Sequence, residues 1–335
     1  MKRRRFTGKH IKRNFHVPEE IGKMNKSGVE FQFAWLFGLI VGMIVLVLAI
    51  YAVTRIVQTE ELAIDAATAK EIGVLLNPLE IGFESAKTTT LILPKEARIF
   101  NGCDTEDEGY FGRQTIRISQ RSFNKWTETD IDVGFSNKYI FSENFTEGKR
   151  FLIFSKPFDF PFKVSDVIYL TSSDKKYCFE IDQSNEEQKE ISEELGTLGQ
   201  ENIFIKNCPA GSTKVCFSGN CEIQVDLLSG YVEKDSKKIY FPDDSLMYAA
   251  IFSEPKIYEC QIERLMKRGG SLASLYAEKA DIVAERGCNS DLKNELEILS
   301  NRLNDIKKSA NINTALISDI ENLREKNKIA NCKLW

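Results

Sequence analysis

FQFAWLFGLIVGMIVLVLAIYAVT, residues 31–54, is a run of 24 residues without a charge. As a helix it would reach roughly 36 Å, enough to cross a hydrocarbon core of about 30 Å with some tilt. A cleaved signal peptide normally has an apolar core of about 7–15 residues followed by a small-residue cleavage site. This run is longer, and no A-x-A stands directly after it, the first being Ala67-Thr68-Ala69, 13 residues beyond Thr54. An uncleaved anchor is therefore the expectation.

The run separates two unlike parts. Residues 1–29 hold nine Lys/Arg against Glu19 and Glu20, a net charge of +7. The remainder has 36 basic and 47 acidic residues, a net of -11 within the overall -4. Basic residues beside a first membrane segment favour the cytoplasmic side. The N-terminus is thus expected in the cytoplasm and the body outside, so that the chain would be a single-pass cell-membrane protein. An acidic body also argues against a nucleic-acid partner, because duplex binding relies on neutralising phosphates.

All eight cysteines, Cys103, Cys178, Cys208, Cys216, Cys221, Cys260, Cys288 and Cys332, lie beyond the apolar run. An even number on the predicted outer side fits disulfides of an oxidising compartment, and free buried thiols are the alternative. A zinc site is disfavoured, since no C-x-x-C occurs and the only histidines are His10 and His16 in the basic head. The same distribution excludes Ser-His-Asp and Cys-His catalysis in the body. No P-loop and no G-x-G-x-x-G appear. S-x-x-K pairs, among them those beginning at Ser122, Ser172 and Ser173, are as expected by chance in a chain rich in both residues. No catalytic residue, metal site or cofactor is assigned. The acidic runs around Asp104, Glu106, Asp107 and Glu108, and at Asp130 and Asp132, match no calcium loop and read as solvated. Asn144-Phe145-Thr146 is a glycosylation sequon, with Phe145 as a strand-core residue the competing reading.

Within the anchor, Ala34, Gly38 and Gly42 recur every four residues, a small-residue face on which helices can approach closely. Self-association and a partner membrane helix are both open. Helical periodicity continues through the Ala-rich ELAIDAATAKEIGVLL to Asn77-Pro78, a rod of roughly 69 Å from residue 31 to 76. β-rich runs then recur between Thr88 and Phe252, for example at 89–93, 115–119, 150–154, 166–170 and 213–217. Few long helical patterns interrupt them, so an antiparallel sandwich or barrel is expected. The acidic segment 184–195 reads as a short exposed helix. Phe158, Phe160 and Phe162 around two prolines read as a core-plugging loop or an exposed aromatic edge.

From Pro255 the pattern turns helical, with Tyr258, Ile262, Leu265, Gly269, Leu272 and Tyr276 and later Leu292, Leu296, Leu299 and Leu303 at 4,3 spacing. A single straight hairpin would leave Cys332 and Cys260 mismatched by about 24 Å at helical rise. A fold-back near Asn311 would instead return Cys332 to Cys288. Three helices, a Cys288–Cys332 bridge, Cys260 joined to the β region and a bridge within Cys208, Cys216 and Cys221 are therefore expected. A continuous final helix is the alternative, because Ile317 and Ile320 keep the 4,3 phase.

The expected fold is thus α+β and membrane-anchored: a long N-terminal transmembrane and stalk helix, an antiparallel β-rich ectodomain and a C-terminal helical bundle or hairpin. Expected divisions are a basic tail (1–29), a transmembrane helix (30–56), a helical stalk (57–77), the β-rich domain (78–253) and the helical domain (254–335).

Lys26-Ser27-Gly28-Val29-Glu30-Phe31 running into the apolar helix resembles the entry of type IV pilin-like proteins. That resemblance implies a basic leader ending in a small residue, and Glu30 as the acid that pairs with a neighbour's amino terminus. Gly28 lies nearer Glu30 than the family's usual spacing, and a plain cytoplasmic tail touching anionic lipid is the other reading of the head. More broadly, VEFQFAW, LLNPLE, PFKVSDVIYL with YCFE, and LMYAAIFSEPKIYECQIERLM resemble uncharacterised single-span surface proteins of small-genome archaea, which implies no activity. The functional expectation is an extracytoplasmic structural or interaction protein held in the bilayer. The alternatives are a monomeric receptor or adhesin-like binding module and a histidine-independent hydrolase built on carboxylates.

Overall fold

The chain is described from a computed structural model covering residues 33–75, 87–106, 111–122, 125–126, 132–288 and 290–335. Met1–Ile56 and Val57–Trp335 are two separate compact units. Helix α1, Phe33–Leu75, runs unbroken for 43 residues. Its segment Trp35–Ile56 has a mean hydropathy of 2.9, and none of it is buried. Glu30 and the expected stop at Asn77-Pro78 lie outside the described residues.

The body is α+β. A seven-stranded sheet has the order β3-β2-β1-β6-β7-β5, with β4 also beside β2. Its long strands are β1 (Lys87–Asp104), β2 (Arg113–Ser122), β6 (Phe145–Asp159) and β7 (Lys163–Ser172); the short ones are β3 (Lys125–Trp126), β4 (Val133–Phe135) and β5 (Ile140–Phe141). The β1–β6 register slips between Ile92 and Ala97, where Pro94 brings no N–H to the ladder. Side chains alternate across β6 and β7 with the two-residue period of a strand. Phe151, Ile153, Ile168 and Leu170 join a small cluster with Ile99, Ile116 and Ile118. Phe154, Phe158, Val167 and Tyr169 enter the main core.

The second sheet has six strands in the order β13-β12-β11-β10-β8-β9. They are β8 (Tyr177–Glu180), β9 (Ile203–Phe204), β10 (Thr213–Cys216), β11 (Ile223–Asp226), β12 (Tyr231–Lys234) and β13 (Lys237–Tyr240). Here the antiparallel expectation fails: β10 runs parallel to both β8 and β11, and β9 parallel to β8. In the first sheet β5 is also parallel to β7. Parallel neighbours need a crossover. Helix α2, Glu186–Leu198, supplies the one from β8 to β9. It is the acidic segment expected to be exposed, but it buries Ile191, Leu195 and Leu198; Glu186, Glu187, Glu190 and Glu193 stay outside, while Glu194 turns inward and accepts from the Tyr248 hydroxyl at 3.0 Å.

Helix α3, Asp244–Phe252, is capped by Asp243 and buried from Ser245 onward. Pro255 opens α4, Pro255–Glu285, at the first-turn position that tolerates a missing N–H. Its small residues let α5, Lys293–Asn304, come close: a Cβ on Gly269 would stand 3.2 Å from Leu303 Cδ1, and one on Gly270 2.7 Å from Asn304 Oδ1. The chain then breaks at a 3-10 turn, Ser309–Asn311, before α6, Thr314–Ile329. Glu259 of α4 holds that turn, accepting from Ser309 N at 2.6 Å and Ser309 Oγ at 2.7 Å, and Asn313 caps α6. The continuous-helix alternative is thereby overturned. Phe158, Phe160 and Phe162 are all buried, and Trp335 packs edge-on to Phe162. Helices α2 to α6 and both sheets share one core.

Candidate functional site

Two segments at the end of the first sheet and the start of β10 in the second line an open cleft of about 520 Å³. Residues 143–147, from the β5–β6 link into the start of β6, form one wall, and residues 172–176, from the end of β7 to the start of β8, form the other; Gly211, Thr213 and Glu254 complete it.

Buried amides set both walls. Asn101 Nδ2 donates to Ile140 O at 3.0 Å and to Ser142 Oγ at 2.8 Å, and Asn101 N donates to Asn144 O at 2.9 Å. Asn202 Nδ2 reaches Thr171 Oγ1, Ser172 O and Lys175 O at 3.0–3.1 Å, which closes the β7–β8 turn. Gly148 admits that turn, since a Cβ there would lie 2.6 Å from Ser172 Oγ.

The cleft is charged with both signs. Lys175 is ion-paired with Glu143, and its ammonium lies 5.6 Å from the Tyr177 ring centroid. Nearby, the buried Lys234 donates to Ile251 O at 3.1 Å and also to Ser253 O. Burial lowers its pKa to about 8, against an opposing pull from Glu143. Asp174, Lys176 and Asn144 point their exposure to solvent at the rim. Of the S-x-x-K pairs, Ser172 and Lys175 do meet here, but Lys175 binds Glu143, while Ser172 Oγ accepts the Asp174 N–H at 3.1 Å.

A second polar cluster lies inside the body. Arg264 is fully buried and bonds only to oxygen dipoles: Phe111 O at 3.0 Å, Lys138 O at 2.8 Å, Gln261 Oε1 at 2.6 Å and Ser136 O at 2.9 Å. Its guanidinium also faces the Tyr139 ring at 4.7 Å. Burial lowers its pKa to about 10, so it stays charged at neutral pH. Gln261 continues the chain of bonds to Gln114 and Asn101, under the cleft's first wall. This cluster fastens α4 to the sheet.

Every cysteine is paired: Cys103–Cys260, Cys178–Cys208, Cys216–Cys221 and Cys288–Cys332. Cys260 thus joins α4 to β1, and Cys216–Cys221 draws together the short return between the parallel strands β10 and β11. On α1, a Cβ added at Gly38 or Gly42 would meet nothing within 4 Å, and Ala34 lies on the same helix. Asn144 is exposed, and Phe145 is 47% exposed. No group of three potential metal ligands occurs among the described residues. Sequence reasoning missed the cleft, Lys234 and the Arg264 cluster. Their members are scattered from residue 101 to 264 without any local spacing to announce them. The acidic run at Asp104 retains only a local turn, with Glu106 N donating to Asp104 Oδ1 at 2.9 Å; Asp107, Glu108 and Asp130 lie outside the described residues.

No family model, curated protein or solved structure matches this chain.

Proposed function

We propose that the chain is a single-pass membrane protein with its N-terminus in the cytoplasm, whose body is an extracytoplasmic structural or interaction module. The observation that carries this is Trp35–Ile56: 22 helical residues of mean hydropathy 2.9 with none of their surface buried. At helical rise they span about 33 Å, the thickness of a hydrocarbon core. A water-exposed apolar surface of that kind is costly, and lipid relieves the cost. The basic head and the four disulfides support the orientation, the one by its charge and the other by its redox requirement.

Ala34, Gly38 and Gly42, entered by Glu30, form the face through which such a helix would assemble with a copy of itself or with a partner helix, as in pilin-like proteins. The mixed-charge cleft favours a second role for the same body, that of a surface binding module. In intact cells, a protease that cannot cross the membrane should digest the body and spare residues 1–29, with the anchor fragment kept in the membrane after alkaline washing. Release of full-length chain by that wash, or a mature N-terminus beyond residue 56, would overturn the anchor. Crosslinking that finds only monomers and no constant partner would overturn the assembly role.

A further inference from the structure

We propose that Asn144 carries an N-linked glycan whose first sugars cover Phe145 and lie in the cleft beside it. The proposal rests on the outward-facing body argued above. Three independent observations converge. Asn144-Phe145-Thr146 satisfies the acceptor pattern, and it is the single such pattern beyond the apolar helix. The Asn144 side chain is exposed at a turn, immediately before β6 begins at Phe145. The middle residue, Phe145, is 47% exposed at the edge of a cleft of about 520 Å³, a size typical of small-ligand sites, which run to roughly 300–1,000 Å³.

The chemistry of the lining fits a sugar. Arg98 stands over the Phe145 ring at 5.6 Å and Phe100 tilts against it at 5.9 Å; the part of the ring that stays exposed offers an apolar surface to pyranose C–H groups. Asp174 and Lys176 offer an exposed acceptor and donor for hydroxyls, with Thr213 beside Lys176, its N–H donating to Lys176 O at 2.9 Å. Covering the ring also removes apolar surface from water.

The donor is an oligosaccharide linked through phosphate to a polyprenyl lipid. Asn144 Nδ2 forms the new bond to the anomeric carbon, the bond from that carbon to the phosphate oxygen breaks with its electron pair going to the departing lipid phosphate, and Nδ2 gives up one proton to solvent. Transfer precedes folding, because in the folded chain Thr146 is only 8% exposed and pairs with Ile99 in the β1–β6 ladder.

The test uses full-length chain recovered from the membranes of its natural host. The peptide containing Asn144 should be heavier by one or more sugar residues. Asn144→Gln and Thr146→Ala should abolish that mass, and Thr146→Ser should keep it. Enzymatic removal of the glycan should then speed amide exchange several-fold at residues 172–176. An unmodified Asn144 in chain whose body is digested from outside would refute the glycan and leave the anchor standing. A body that external protease cannot reach would refute both. A glycan whose removal leaves exchange at 172–176 unchanged would refute its seat in the cleft. If Asn144→Gln fails to accumulate, the Thr146 pair still decides the matter.

Discussion

Two helical segments among the described residues, Trp35–Thr54 of α1 and Leu246–Phe252 of α3, carry no charge on any side, and they meet opposite fates. Trp35–Ile56 within α1 is 22 residues long and unburied, whereas α3 is nine residues long and buried on every side from Ser245 to Phe252. Length decides between them. Nine residues rise only about 14 Å, too short to cross a bilayer but short enough to be enclosed between sheets. Tyr169 of β7 marks that enclosure, its hydroxyl donating to Ser245 O at 2.7 Å. Phe252 lies 4.9 Å edge-on to Tyr177 of β8, so α3 is held by both sheets.

An arginine should break this comparison in opposite ways at the two helices. Ala249→Arg in α3 places an unpaired charge where exposure is 0%, and the body should fail to fold, read as loss of near-ultraviolet circular dichroism. Leu46→Arg, at a site 59% exposed, should leave the body's melting unchanged. It should instead release chain from the membrane, at a cost of about 3 kcal/mol for insertion. Equal loss of body stability in both variants would mean that the α1 segment packs against protein.

The disulfides grade the body by range. Opening Cys103–Cys260 (Cys→Ser at both) frees a separation of 157 residues, and loop entropy sets the loss near 5 kcal/mol. Opening Cys216–Cys221, a separation of five, should cost about 2 kcal/mol. Urea midpoints of the two double variants measure the difference.

A buried lysine and a half-buried aspartate sharpen the picture further, with opposite signs. The folded chain holds Lys234 at about 8 against an ordinary 10.5, so between those values the unfolded chain binds more protons. Stability should therefore rise from pH 8 to 10.5 by about 3 kcal/mol, and Lys234→Met should lose that rise. Asp243, the α3 cap, is raised by burial to about 6 against the pull of the Leu246 amide and the Ser245 hydroxyl. The folded chain then binds more protons between 3.8 and 6, and stability should fall over that window by a similar amount. Asp243→Asn keeps the cap and should flatten the fall. Melting temperatures across pH report both.

The smallest effect is expected at the surface of the helical region. Arg302–Asp319 and Lys326–Glu295 bridge α5 and α6, and each pair is about half exposed. Arg302→Ala should cost under about 1 kcal/mol, read from the same urea curves.

The apolar helix, the helices after Pro255 and the break near Asn311 were legible in the chain because they depend on local quantities. Uncharged length marks the apolar helix, period marks the helices after Pro255, and capping residues mark the break near Asn311, where Asn313 accepts the Leu316 N–H at 2.9 Å. Helical rise also brings Cys288 and Cys332 together, which the structure joins with a Cα–Cα distance of 5.8 Å. Strand direction was not legible in the same way. A four-residue strand such as β10 looks alike whichever way its neighbours run, and a short β-rich segment holds no record of its partner.

By itself, then, the sequence determined where the apolar helix lies, which side of it bears the cysteines, and where the final helices turn. Only the tertiary structure decided the parallel pairing of β8, β10 and β11, the union of Cys103 with Cys260, and the cleft between residues 143–147 and 172–176. The physical reason is range. Helical period, capping and uncharged length act over a few residues to a few turns, while register and cleft walls depend on groups brought together from far along the chain. Asn101 and Asn202, each buried beneath one wall, do their work only once that folding is complete.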